Sequence, residues 1–393
     1  MLVIVAPGQG AQTPGFLEPW LDYPDFADRL NWLSAVSGLD LTHFGTKADA
    51  ETIRDTAIAQ PLLVASGLLA ALALFPHPAD AFGRVGAVAG HSVGEISAAT
   101  GIGVITAEQA MVFVRERGRA MAAASAVTPT GMTAILGGDR DQVLAKLDQH
   151  RLTAANDNGA GQLVAAGTME QLQALADDAP DRARLVPLTV AGAFHTHHMR
   201  PAVDVLSRLA RAMSTHDTRT RLISNRDGQV IHSGPEVLAR LVSQVSHPVR
   251  WDLCMQTMAD LEVSGILEMP PAGTLSGMAR RQLRGVETLA LKTPDQLDDA
   301  QAFVEKHGDA SPIDSTPTWR MLVSPGKGTF HQSGDIPMGT QLVPDAVVGE
   351  VQNLRGSTSV QAPYGGTIVE WIVEDGDLVS PGQPLVRLHP ESE

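Results

Sequence analysis

Ser92 lies in Gly90-His91-Ser92-Val93-Gly94, directly after the apolar run VGAVAG and directly before GEISAATG. The G-x-S-x-G spacing suits a nucleophile presented on a tight strand-to-helix turn. Flanking residues without Cβ let the backbone approach itself closely, and the following helix aims its N-terminal N–H groups at the reacting oxygen. A plain glycine turn uses the same residue types; the strand before and the helix after favour the nucleophile. A serine of this kind needs a base. His91 is adjacent, but a neighbour at a sharp turn points elsewhere. His195, in GAFHTHHM, is the better candidate. The same run also reads as a solvated helix start, or as a metal cluster of His195, His197 and His198. No carboxylate or cysteine lies beside it to complete a metal site. The GQG of residues 8–10 is not a dinucleotide fingerprint, because Thr13 stands where the third glycine belongs.

These residues need elements to hold them. Over residues 1–125, short uninterrupted apolar strands (LVIVAP, VGAVAG) alternate with small-residue helices (TAIAQPLLVASGLLAALALF, GEISAATGIG). That order predicts a parallel sheet covered on both faces. Residues 131–190 read strand, helix, strand, strand, helix, strand, which is the ferredoxin-like order. The expected organisation is an α/β core from 1–127 and 191–307, with 128–190 as an inserted ferredoxin-like subdomain. SGILEM and VETLALK are the clearest later strands. Residues 308–318 form a linker of small, polar and proline residues, and 319–393 form a separate all-β domain.

Composition sets the outer bounds. The chain has 393 residues, 44% hydrophobic and 19% charged, as an ordinary soluble globular protein has. A formal net charge of −15 with no Lys/Arg-rich block argues against nucleic acid. One cysteine, Cys254, makes no internal disulfide, so a cytoplasmic chain is expected. The N-terminal apolar run is five residues long and lacks a basic flank, so it reads as a buried strand rather than a signal peptide. The longest apolar stretch, residues 62–75, is too short to span a bilayer and reads as a core helix, so no membrane is expected.

Six motifs in order then carry a resemblance. PGQGAQ (7–12), AQP (59–61), GHSVGE (90–95), RERGRAM (115–121), AFH (193–195) and SHPVRW (246–251) resemble the malonyl-CoA:acyl-carrier-protein transacylase family, from residue 1 to about 307. The resemblance implies an α/β-hydrolase-like acyltransferase core that moves malonyl from malonyl-CoA to the phosphopantetheine thiol of acyl carrier protein. No bound cofactor is implied. Ser92 would form a malonyl ester, and His195, oriented by backbone carbonyls, would move the proton. The backbone N–H groups of Val93 and Gln9 would form the oxyanion hole. Arg117 would clamp the malonyl carboxylate with two parallel hydrogen bonds, where the bland reading is a surface arginine. Arg115 and Arg119 would be its solvated neighbours. Phe194 would crowd an α-methyl group, or is ordinary core. Gln60 and Asn158 would line the pocket, with Asn156 and Asn158 in an asparagine loop or a plain turn. Carrier proteins are acidic, so Arg280 and Arg281 in ARRQLRG are the expected docking cations. The rival readings are a serine esterase or thioesterase, a non-catalytic assembly subunit, and a malonyl transferase serving a polyketide or decarboxylase pathway.

The tail repeats itself. SPGKGT (324–329) returns as APYGGT (362–367), and GTQLVPDAVVGEV (339–351) as GDLVSPGQPLVRL (376–388), an offset of 37 or 38 residues. Two similar β-halves packed face to face make a flattened barrel, and the pattern resembles the biotinyl/lipoyl carrier domain. In that family a lysine between the halves bears the cofactor. Here Arg355 stands at that position and no lysine follows Lys327, so neither biotin nor lipoyl is expected. Docking, self-association or spacing remains for this domain, the alternative being a leftover module with no present role.

Overall fold

The structure, a computed structural model, describes residues 1–76, 81, 83–190, 192–308, 320–354 and 356–389. Most of the expected linker and Arg355 lie outside the described residues. The chain divides into two compact units, Met1–Ser311 and Pro312–Glu393.

The first unit is built on a six-stranded sheet. Its strands are β1 (Leu2–Ala6), β2 (Ala87–Gly90), β7 (Arg221–Ile223), β8 (Val230–Ile231), β10 (Gly265–Glu268) and β11 (Glu287–Ala290), in the order β11-β10-β1-β2-β7-β8. All pairs are parallel except β7 with β8. Alternate residues feed two cores. Leu2, Val88 and Leu267 face one, and Val3, Val5, Ala87, Ala89 and Ile266 face the other. That double burial is why the strands lack a polar face. Over one face lies the helix Thr56–Leu74, started by Asp55, whose carboxylate accepts from the Ala57 N–H. The helix matches the span expected from TAIAQPLLVASGLLAALALF; at 19 residues it is long and apolar enough to cross a membrane, although its apolar run 62–75 alone is not, and 78% of its apolar window is buried inside the protein. It is a core helix.

A second, five-stranded sheet comprises β3 (Thr130–Gly137), β4 (Thr153–Asp157), β5 (Gln162–Thr168), β6 (Ala183–Pro187) and β9 (Val249–Arg250), in the order β6-β3-β5-β4-β9. The first four are antiparallel neighbours with helices Arg140–Gln149 and Met169–Asp177 between them in sequence, the ferredoxin-like arrangement. β9 joins in parallel, pairing Asn156 with Val249 and Asp157 with Arg250. The sheet therefore extends beyond residues 128–190 by a strand from the SHPVRW segment.

The second unit holds two four-stranded sheets around one apolar core that includes Phe330, Val348, Leu385 and Val386. Its strands are β12 (Arg320–Val323), β13 (Gly328–Gln332), β14 (Gln341–Leu342), β15 (Ala346–Asn353), β16 (Gly356–Ala362), β17 (Gly366–Trp371), β18 (Leu378–Val379) and β19 (Pro384–His389). The sheet orders are β12-β19-β17-β14 and β16-β15-β13-β18. Shifting each strand by the sequence repeat turns one order into the other. Each sheet takes two strands from each half. The halves therefore interlock, where the sequence suggested two halves stacked face to face.

Candidate active site

The carboxyl ends of β1, β2 and β7 converge, and ligands in open α/β sheets bind at such ends. Ser92 lies between Gly90, the last residue of β2, and Gly94, the first of the helix Gly94–Gly101. Its φ is 54°, a left-handed conformation that a side chain adopts at a cost. The glycines are required. A Cβ on Gly90 would run into the Gly94 backbone, and one on Gly94 into the Ala6 carbonyl. Asn225, just past β7, ties the turn from both sides. Its Oδ1 accepts from Ser92 N at 2.8 Å, and its Nδ2 donates to the Gly90 carbonyl at 2.7 Å.

Ser92 Oγ is 2.8 Å from His195 Nε2. His195 Nδ1 lies 3.0 Å from the Gln244 carbonyl, which can only accept. The hydrogen of the neutral ring is therefore on Nδ1, and Nε2 is free to accept from Ser92. Burial first, then the positive charge of Arg117, pushes the His195 imidazole down to about 3. The ring is neutral at physiological pH, as a base must be. Among the described residues no carboxylate bonds it; the Gln244 backbone carbonyl orients it.

Arg117 lies on the helix Ala107–Ser125 and is 1% exposed. Gly118 lets that helix approach the Thr56 carbonyl, which a Cβ would meet at 2.7 Å. Nη1 donates to Gln60 Oε1 at 2.6 Å, and Nη2 to Gln244 Oε1 at 2.7 Å and Ser92 Oγ at 3.3 Å. These partners are neutral, so they orient the guanidinium without cancelling its charge. Burial lowers its pKa to about 10, opposed by Glu95, so it stays cationic. The pattern can hold an acyl carboxylate next to a serine ester.

The other named residues fall in several places. Asn158 Oδ1 is 2.9 Å from His91 Nε2, which also packs edge-on to Trp251. The Gln9 side chain donates to the Arg54 carbonyl at 3.0 Å. Its loop packs on the turn: a Cβ on Gly8 would come within 2.8 Å of the His91 carbonyl. Among the described residues, no acceptor meets the backbone N–H of Gln9 or of Val93. Phe194 is buried in the main core beside His195, and Asn156 Oδ1 is buried without a partner. Arg119 is exposed, whereas Arg115 is half-buried and bonds Glu116 and the Ser37 carbonyl. His197 and His198 stack on each other, and among the described residues no group of three His, Cys, Asp or Glu could hold a metal ion. Arg280 and Arg281 are exposed at the end of helix Thr274–Gln282.

Three residues escaped the sequence reading. Gln244 holds Arg117 and the Ser92 carbonyl by side chain and His195 by backbone. Asn225 pins the turn. Glu95 accepts from both. Glu95 was inside the quoted GHSVGE motif, and Gln244 stands two residues before SHPVRW; nothing local marked Asn225.

The acyl transferase domain family model matches residues 3–307. The malonyl CoA-acyl carrier protein transacylase of Mycobacterium tuberculosis is 50% identical over 299 residues, covering 76% of this chain and 99% of the relative. That of Escherichia coli K12 is 31% identical over 302 residues, 75% of this chain and 96% of the relative. The crystal structure of MCAT from Mycobacterium tuberculosis superposes with a TM-score of 0.74 at 49% identity, covering 77% of this chain and 99% of that one. A type II PKS acyl-carrier protein in complex with its malonyl-transacylase superposes with a TM-score of 0.70 at 26% identity, covering 77% and 99%. With its buried cation beside a serine–histidine pair, the chain belongs to the acyl transferase family, among the malonyl CoA-acyl carrier protein transacylases.

Proposed function

We propose that this protein transfers malonyl from malonyl-CoA to the phosphopantetheine thiol of an acyl carrier protein, in fatty acid biosynthesis, through a malonyl ester on Ser92. The observation that carries this is Arg117: a buried guanidinium, held by neutral partners, 3.3 Å from Ser92 Oγ. Its direct hydrogen-bond partners are all neutral, with Glu95 reached only through Gln244, so a substrate carboxylate is the charged partner that the guanidinium lacks.

In the first half-reaction Ser92 Oγ attacks the thioester carbon, and its proton passes to His195 Nε2. The oxyanion is taken by the Val93 and Gln9 N–H groups, a donor of this kind being worth ~3 kcal/mol. The C–S bond breaks, and the proton on His195 goes to the departing CoA sulfur. In the second half, His195 takes the proton of the carrier thiol, that sulfur attacks the ester carbon, and the C–Oγ bond breaks. The proton returns to Ser92 Oγ. Gln60 orients Arg117, Asn158 fixes His91 at the wall of the site, and Phe194 backs the loop that carries His195.

Arg280 and Arg281 are assigned to carrier docking, on their exposure and charge. The second unit is assigned a biotinyl/lipoyl-like fold without a cargo, supported by the interchangeable sheet orders. Its role is docking, self-association or spacing. The buried free thiol of Cys254 supports a reducing, cytoplasmic setting.

The test is a transfer assay with malonyl-CoA and holo-carrier protein, followed by mass spectrometry of both. Malonyl on the carrier thiol is expected. Free malonate in its place would make the protein a hydrolase.

A further inference from the structure

Behind Ser92 lies a buried polar network that the transfer steps do not use. Glu95 is 2% exposed and Gln244 5%. The Gln244 carboxamide meets acceptors at one end and a cation at the other. Its Nε2 donates to Glu95 Oε2 at 2.6 Å and to the Ser92 carbonyl at 2.9 Å. Its Oε1 accepts from Arg117 at 2.7 Å. A carboxamide can sit either way round, and its neighbours decide which. The shortest contact at the nitrogen end is the carboxylate. The other oxygen of Glu95 accepts from the Asn225 N–H at 2.7 Å. Both carboxylate oxygens therefore face donors, which suits an ionised group and no other form.

Resting on the malonyl-transfer reading above, we propose that Glu95 is a positioning residue that sets the selectivity of this site for acyl groups ending in a carboxylate. Ionised Glu95 locks the Gln244 amide with its oxygen toward Arg117, and so keeps the guanidinium aimed at the acyl terminus. A neutral Glu95 carries an O–H that needs an acceptor. The Asn225 N–H cannot serve, so the Gln244 amide turns its oxygen to that hydrogen. Its NH2 then faces Arg117, donor against donor, and the clamp loosens. Acetyl, which has no carboxylate, does not use the clamp; the Gln244 bond to the Ser92 carbonyl, lost in the same turn, bears on both acyl groups alike and drops out of their ratio.

The charged and titratable groups facing Glu95 are Arg117, Arg240 on the helix Gly234–Gln244, and Cys254 across Asn225. Burial pushes the Glu95 carboxyl up to about 7. Burial also pushes the Cys254 thiol up, Arg117 stays near 10, and Arg240 is raised by its carboxylate partners despite burial. Of this set, Glu95 is the group that changes charge around neutrality.

The experiment measures Ser92 acylation rates by intact mass on the full chain, with malonyl-CoA and acetyl-CoA, from about pH 6 to about pH 8.5. In the wild type the malonyl-to-acetyl rate ratio is expected to fall about tenfold from the alkaline to the acid end, the loss of one charge-assisted contact. In Glu95→Gln the ratio is expected to be low and flat across the range. A merely structural role would lower both rates together and leave the ratio alone. A wild-type ratio that ignores pH, or a Glu95→Gln ratio equal to the wild type, overturns the proposal. If Glu95→Gln does not fold, the wild-type titration decides. Absence of any malonyl adduct on the wild type is a different failure, that of the transfer reading itself.

Discussion

Ser92 Oγ donates to one ring nitrogen and accepts from one guanidinium, and those two contacts set its chemistry. The Arg117 charge, after burial, suppresses protonation of His195, which keeps Nε2 free to accept from Ser92. With acetyl-CoA, loading makes no demand on Arg117, so the acid limb of kcat/KM reports His195. That limb is expected well below 6.5, toward the value of about 3 to which burial and Arg117 push the ring. A limb at the ordinary histidine position would contradict the buried geometry. Arg117→Ala should cut kcat/KM for malonyl-CoA by about a hundredfold, with a much smaller effect on acetyl-CoA. Arg117→Lys should not restore it, because an ammonium cannot reach Gln60, Gln244 and a carboxylate from one plane. Steady-state kinetics with the two donors checks both. That Ser92, His195 and Arg117 would meet was legible because each lies in a short motif of chemical types. Gln244 and Asn225 were not. Asn225 meets Ser92 across 133 residues of sequence, and a lone amide at a strand end has no local signature.

At the scale of elements, the site depends on how closely three strand ends approach. Gly90→Ala forces a Cβ into the Gly94 backbone. It should destabilise the first unit by about 2 kcal/mol, visible as a lowered Tm, and should abolish acylation. An active, equally stable Gly90→Ala would contradict the described turn. Most elements of the first unit were legible, since uninterrupted apolar strands and amphipathic helices announce themselves by period. β9 was not. It is two residues long and is a strand only because β4 offers an edge. The interlocking of the C-terminal halves was hidden for the same reason: β14 and β18, two residues each, acquire their sheets from distant partners.

At the scale of the molecule, two compact units share one chain, and the acyl transferase family model matches residues 3–307, within the first. The Mycobacterium tuberculosis relative is matched over 99% of its length by 299 residues of this chain, fewer than the first unit holds. A chain ending after residue 311 is therefore expected to acylate and transfer at close to the full-length rate with free carrier protein. A collapse of acylation in that shortened chain would show that the second unit completes the site. Arg280→Glu with Arg281→Glu should raise KM for the carrier protein, which is acidic, and leave KM for malonyl-CoA unchanged. An unchanged carrier KM would move the docking surface elsewhere. The repeat in the tail was legible from sequence because its turn residues recur at a fixed offset; what the tail does was not, because its expected attachment position is occupied by an arginine.

A malonyl ester on Ser92 would show in the intact mass of the protein after brief exposure to malonyl-CoA. One malonyl adduct is expected on the wild type, lost in Ser92→Ala and discharged by holo-carrier protein. A folded wild-type chain that gains no adduct, or an adduct that survives Ser92→Ala, would contradict the account.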